Sequence, residues 1–130
     1  MHVEITERKI SLEEALSKLK LKGVGAMVTF SGIIRPIEEG KELLQMEYEA
    51  YKEMAEKEMK KIAAEIKARW NVNEIAMMHR VGQVAVGEPS VIIAVAAEHR
   101  NEAFRACQFA IDTLKETVPI WKKAIFKVDK

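Results

Sequence analysis

Five side chains from distant stretches of this sequence share one chemistry: Arg35, His99, Arg100, Lys115 and Lys122 can each carry positive charge or donate a hydrogen bond. Gathered around one pocket, they would hold a phosphate or a carboxylate, because guanidinium and ammonium donors make short, charge-assisted bonds to such oxygens. Each has a plainer explanation when taken alone. Arg35 and the pairs His79-Arg80 and His99-Arg100 end apolar stretches, where a strand simply leaves the core. His79-Arg80 keeps that explanation, since Val81-Gly82 carries the strand pattern past it. Arg35, His99 and Arg100 stand as candidates.

Lys115 carries more information. Phe104, Cys107, Ile111 and Leu114 recur at helical spacing and read as an apolar stripe. At about 100° per residue, Lys115 falls roughly 20° from Phe104, on the shoulder of the buried face. A lysine there either runs its stem along the apolar surface and its ammonium to water, or points into a cleft. Desolvation in a cleft makes it a usable acid or base near neutral pH. Trp121-Lys122-Lys123 follows soon after Pro119. Adjacent strand residues point to opposite faces, so only one of Lys122 and Lys123 can face a given cleft. The plain alternative is a solvated edge that discourages strand pairing between molecules.

Other chemistries find little support. Gly23-Val-Gly25 lacks the third glycine of a dinucleotide fingerprint and precedes a strand instead of opening a helix. His2, His79, His99 and Cys107 have no metal-ligand spacing, so neither a metal nor a bound cofactor is expected. Cys107, the only cysteine, sits in the helical stripe and reads as core. One cysteine allows no internal disulfide, which fits a reducing, cytoplasmic setting. The formal net charge of +1 argues against a nucleic-acid binder that works by bulk charge. Val91 to Ala97 is far too short to span a membrane, and the charged N-terminus has no signal-peptide pattern.

The elements that must position these residues alternate along one domain, 1–130. His2 to Lys9 reads as a strand. Ser11-Leu-Glu-Glu14 is a capping box, predicting a short helix that ends near Lys20. Gly25 to Arg35 is an apolar, β-branched strand stopped by Pro36, with a polar turn over Ile37 to Lys41 and a pairing strand over Glu42 to Ala50. Lys52 to Trp70 is the clearest helix, with Ala55, Met59, Ile62, Ile66 and Trp70 on one stripe. Glu74 to Val81 and Val91 to His99 read as strands. The second is apolar enough to be covered on both faces. Asn101 can cap a helix over Glu102 to Thr117, and Trp121 to Val128 reads as a last strand. The expected class is α+β with mostly antiparallel pairing, two long helices and one short N-terminal helix.

Five segments together resemble one family: VTFSGIIRP (Val28 to Pro36), MEYEAYKEMAEKEM (Met46 to Met59), HRVGQVAVGE (His79 to Glu88), AVAAEHRNEAFRAC (Ala94 to Cys107) and IDTLKETVPIWKK (Ile111 to Lys123). In order and spacing they look like the large, catalytic subunits of molybdopterin synthase, over nearly all the chain from Gly25 to Lys123. The resemblance implies an α/β-hammerhead fold and a homodimer in which each chain binds one small sulfur-carrier subunit, making a heterotetramer. The small subunit ends in Gly-Gly and carries a C-terminal thiocarboxylate. The implied reaction is sulfur transfer to cyclic pyranopterin monophosphate, installing two dithiolene sulfurs at the expense of two thiocarboxylates.

Carried over position by position, Arg35 resembles a substrate-anion contact, and His99 and Arg100 match a His-Arg pair in the pocket. Lys115 matches the lysine beside the incoming small-subunit terminus. Lys122 matches the lysine of a Trp-Lys motif, with Lys123 as its basic neighbour. Catalysis is thus expected of Lys115 and Lys122, and substrate binding of Arg35, His99, Arg100, Lys115, Lys122 and Lys123. Two features depart from the family pattern: Ala124 stands where a Glu is frequent, and the chain stops at Lys130 where many relatives continue. The competing expectation is a non-catalytic dimeric α+β module that binds an anionic metabolite or a partner protein.

Overall fold

The computed structural model describes residues 1–128; the last two residues of the expected domain 1–130 lie outside them. The elements run β1 (His2–Thr6), α1 (Leu12–Ser17), β2 (Ala26–Ile33), β3 (Ile37–Glu38), β4 (Lys41–Ala50), α2 (Lys52–Arg69), β5 (Val72–Arg80), β6 (Gly82–Ala85), β7 (Pro89–Ala97), α3 (Arg100–Thr117) and β8 (Ile120–Phe126). The α+β class, the two long helices and the short first helix are as expected. The strands, however, divide between two sheets. One has the order β1-β5-β7-β2; the other has β3-β4-β6, with β8 on β4. All pairings are antiparallel except β1 with β5.

β7 is the reason for the layering of the first sheet. Its odd residues Val91, Ile93 and Val95 pack into a core shared with α2 and α3. Its even residues Ile92, Ala94 and Ala96 pack into a second core under α1. A strand of period two with apolar residues on both faces must be covered twice. α2 contributes Ala55, Met59, Ile62, Ala63 and Ile66, and α3 contributes Ala106, Cys107, Ala110, Ile111 and Leu114. The second sheet has a small core of its own, built from Ile34, Leu43, Met46 and Val84.

Several expectations need correction. α1 is capped by Ser11, whose Oγ accepts from the Glu14 N–H at 3.1 Å, but it ends at Ser17, not near Lys20. The Glu14 carboxylate completes no capping box; it pairs with Arg8. The turn over Ile37 to Lys41 is a tight hairpin whose arms, β3 and the start of β4, pair directly. Glu39 and Gly40 form its tip, both at positive φ. α3 begins two residues early, with His99 and not Asn101 at the N-cap, and no side chain caps it. Phe104 is 61% exposed and lies outside the buried stripe, which Ala103, Ala106 and Ala110 carry with Cys107, Ile111 and Leu114.

The segment after His79-Arg80 departs most. β5 stops at Arg80, and Gly82 takes φ +84°, a left-handed conformation that glycine adopts without steric cost. The chain thereby leaves the first sheet and enters the second as β6, paired with β4. Arg80 braces the crossing. Its buried guanidinium pairs with Glu88 at 3.2 Å and donates to the carbonyls of Gln83 at 3.0 Å and Glu7 at 3.3 Å.

Candidate active site: a cationic cleft between the two sheets

Strand register sets up a cleft at one end of the first sheet. His79 pairs with Ile5 on one side and with Val91 on the other, and Val91 pairs with Gly32. The row toward α3 therefore reads Ile5, His79, Val91, Gly32 across the four strands. One step deeper, Met77 and Ile93 are fully buried core, with the half-buried Phe30 packed against them. At the cleft, that core gives way to an imidazole and to a residue without a side chain. A Cβ on Gly32 would lie 2.7 Å from Val91 Cγ1, so any side chain at this position would force the Val91 side chain to shift.

The opposite wall comes from the second sheet and the end of α3. Tyr48 on β4 and Lys122 on β8 are register partners, so their side chains project from the same face. Lys115 lies in the last turn of α3, where the negative pole of the helix favours an ammonium. The cleft holds about 510 Å³, and its polar lining is Arg35, Glu38, Tyr48, His79, Ser90, Lys115 and Lys122. Leu114, Ile111 and Val118 supply an apolar floor. Arg35 pairs with Glu38 at 3.2 Å. Neither Lys115 nor Lys122 has a carboxylate partner among the described residues, so both ammoniums are available to an anionic guest. A cleft of this size, with an apolar floor and a few convergent polar groups, suits a small molecule.

His79 is the site residue that sequence reasoning passed over. It is only 5% exposed. Its Nδ1 lies 2.7 Å from the Arg80 carbonyl oxygen. A carbonyl only accepts, so Nδ1 carries the hydrogen. The ring packs edge-on against Tyr48 with centroids 5.1 Å apart. Burial lowers its pKa from the usual histidine value, the Arg80 carbonyl bond opposes that shift, and the charge of Lys115 adds to it. The ring is therefore neutral near pH 7. The signal that could have found it is Gly82: a glycine two residues beyond Arg80 marks the strand's end, which puts His79 at a sheet junction.

Of the expected site residues, the chain itself brings Arg35, Lys115 and Lys122 together. It does not bring the others. His99 and Arg100 open α3, while Lys115 closes it, about 22 Å along the axis at 1.5 Å per residue. Both are exposed. Lys123 pairs with Glu47 on the face opposite Lys122 and does not line the cleft, as strand alternation requires. Ala124 is the register partner of Met46, on the same face as Tyr48 and Lys122, and packs against the core of the second sheet. Cys107 is buried and its thiol is pushed up to about 11, which removes it as a nucleophile near neutral pH. Among the described residues no three His, Cys, Asp or Glu side chains cluster as metal ligands, and no helix is long and apolar enough to cross a membrane.

Fold and cleft thus define a class, an α+β protein that gathers Arg and Lys side chains around a small-molecule cavity. Comparison with known proteins narrows it. Residues 5–117 match the family model described as MoaE protein, and the chain belongs to that family. It is 42% identical over 126 residues to the molybdopterin synthase catalytic subunit of Thermoplasma volcanium, covering 97% of this chain and 92% of that one. It is 44% identical to the human protein of the same name, covering 96% of this chain but only 66% of the human one. The crystal structure of molybdopterin synthase from Staphylococcus aureus superposes with a TM-score of 0.90 at 38% identity, covering 95% of this chain and 90% of that one.

Proposed function

We propose that this chain is the catalytic subunit of a cytoplasmic molybdopterin synthase. It transfers sulfur from the thiocarboxylated C-terminus of a small Gly-Gly-ending subunit to cyclic pyranopterin monophosphate, forming the dithiolene of molybdopterin. The observation that carries this reading is the meeting of Lys115 and Lys122, from a helix end and a strand, in one cleft with Arg35. Family membership and near full-length similarity to proteins named for this activity support it.

The chemistry follows from the side chains present. A phosphate and a thiocarboxylate both bring negative charge, which Arg35, Lys115 and Lys122 offset at close range. Each thiocarboxylate gives up its sulfur, takes an oxygen from water in its place and returns as a carboxylate, while on the substrate a C–S bond replaces a C–O bond and the displaced oxygen is protonated. Lys115 and Lys122 are the groups in the cleft able to deliver and collect those protons. The sulfur arrives activated on the partner, so the reaction calls on no cysteine, metal or resident cofactor from this chain.

His99 and Arg100 enter this scheme only from a second copy, because each chain holds them a helix length from its own cleft. A homodimer that reciprocally lends this pair would complete two cationic sites. Phe104, one helical turn beyond Arg100 and 61% exposed, is the kind of apolar side chain such a contact would cover.

The test is incubation of the purified protein with cyclic pyranopterin monophosphate and the thiocarboxylated small subunit, followed by detection of the dithiolene product. Product that depends on all three components is expected. Sulfur-free pterin after complete mixing with a folded, partner-bound protein would rule the activity out.

A further inference from the structure

His79 has one nitrogen accounted for and one that is not. Nδ1–H donates to the Arg80 carbonyl, which leaves Nε2 as a lone pair. Nε2 has no hydrogen bond to any described residue. Nor is it sealed off: among the described residues the buried side-chain polar atoms without a partner are Glu14 Oε1, Arg80 Nε and Glu102 Oε2. A ring otherwise 95% removed from solvent, lining the cleft with one unpartnered acceptor, points to a donor that the guest itself brings.

We propose that His79 determines the orientation and specificity of the guest: Nε2 accepts a hydrogen bond from a ring N–H or amino N–H of a heterocycle, seating that ring against the inner wall. The identity of the heterocycle as a pterin rests on the function proposed above; the acceptor role rests on geometry alone.

The groups facing the ring explain why it selects. Lys115 approaches from α3, Lys122 and Tyr48 from the second sheet, and Arg35 with its partner Glu38 from the β2–β3 segment. Three cations around the opening attract the anionic end of a guest. A neutral imidazole with an outward lone pair repels an anion and takes only a donor. The cleft is therefore polarised, with the donor-bearing ring inward and the phosphate outward at the lysines. Burial and the nearby Lys115 charge keep the imidazole in this accepting state. Tyr48 holds its plane by edge-to-face contact, and the Arg80 carbonyl holds its tautomer.

Two substitutions separate the two nitrogens. In His79→Asn the amide N–H reaches the Nδ1 position and keeps the Arg80 bond, but nothing replaces Nε2. In His79→Gln the amide oxygen reaches the Nε2 position and restores an acceptor. Binding is measured on the whole protein, without partner, using neopterin monophosphate as a fluorescent probe and inorganic phosphate as a competitor. His79→Asn is expected to weaken probe binding about tenfold, the order of one lost hydrogen bond with its unpaired donor, while phosphate competition stays unchanged. His79→Gln recovers most of the loss. Should Asn not be accommodated, His79→Met fills similar space without an acceptor and is read against Gln in the same way. The proposal is overturned if the acceptor-free variant binds the probe like the parent, if probe and phosphate weaken together, or if the parent binds neither. Because no sulfur donor is present, a failure of sulfur transfer would leave these readings intact, and the reverse also holds.

Discussion

Tyr48 and Lys122 stand opposite each other in the β4–β8 ladder, on the face that looks across the cleft at His79. This one register ties the last strand of the chain to the end of the first sheet. It also places the two lysines of the Trp-Lys-Lys segment on opposite faces of the strand.

A direct comparison of those lysines follows. Lys122→Ala should cut the rate of dithiolene formation by about 10² or more, in the range of a lost general acid or base. Lys123→Ala, on the opposite face beside Glu47, should leave the rate within about a factor of two and stability within about 0.5 kcal/mol. Parallel rate assays of the two variants check this, and equal losses would contradict the assigned faces.

The second expectation concerns pH and stability. The folded pKa of His79 is lowered by burial, with Lys115 adding to the shift. The unfolded chain therefore binds a proton more readily than the folded one as pH falls below the ordinary histidine value of 6.5. The stability His79 contributes is complete above that pH and is lost as pH drops towards the folded pKa. Glu4 and Glu88 are also lowered, but from a carboxylate's starting point, so their losses fall in a more acidic window. Urea titrations from about pH 7.5 to about pH 5 should show a shallower decline for His79→Gln than for the parent. Identical slopes would mean that His79 titrates as if exposed.

The third concerns the crossing between sheets. Arg80→Leu removes the pair with Glu88 and the bonds to the Gln83 and Glu7 carbonyls. Glu88 keeps some solvent access, so the cost should sit at the lower end for broken buried pairs, about 3 kcal/mol. That corresponds to a melting temperature lower by roughly 10 °C for a chain of this size, measurable by thermal denaturation. An unchanged Tm would mean that the bracing is supplied elsewhere.

How far the sequence foretold this site can be judged residue by residue. The class and most elements were legible because β7 and α2 carry unambiguous periods: apolar on both faces for one, a stripe every third or fourth residue for the other. Lys115 was legible from its place beside the stripe, although Phe104 turned out to face solvent and Ala110 the core. Lys122 and Lys123 could be split by alternation, but only register with β4 says which one faces inward. His79 was hidden because Val81-Gly82 continues an apolar pattern in one dimension while the backbone changes sheets in three. The separation of His99-Arg100 from Lys115 was hidden for the opposite reason. Similar charge and a shared family motif suggest company, and only the length of α3 places them at opposite ends.

The most direct measurement is a single-turnover assay of Lys115→Ala with cyclic pyranopterin monophosphate and the thiocarboxylated small subunit. Lys115 is exposed and unpaired among the described residues, so the variant should melt with the parent and still bind the small subunit. The account predicts that dithiolene formation then falls by about 10² to 10⁴. A folded, partner-bound Lys115→Ala protein that makes product at the parent's rate would contradict it.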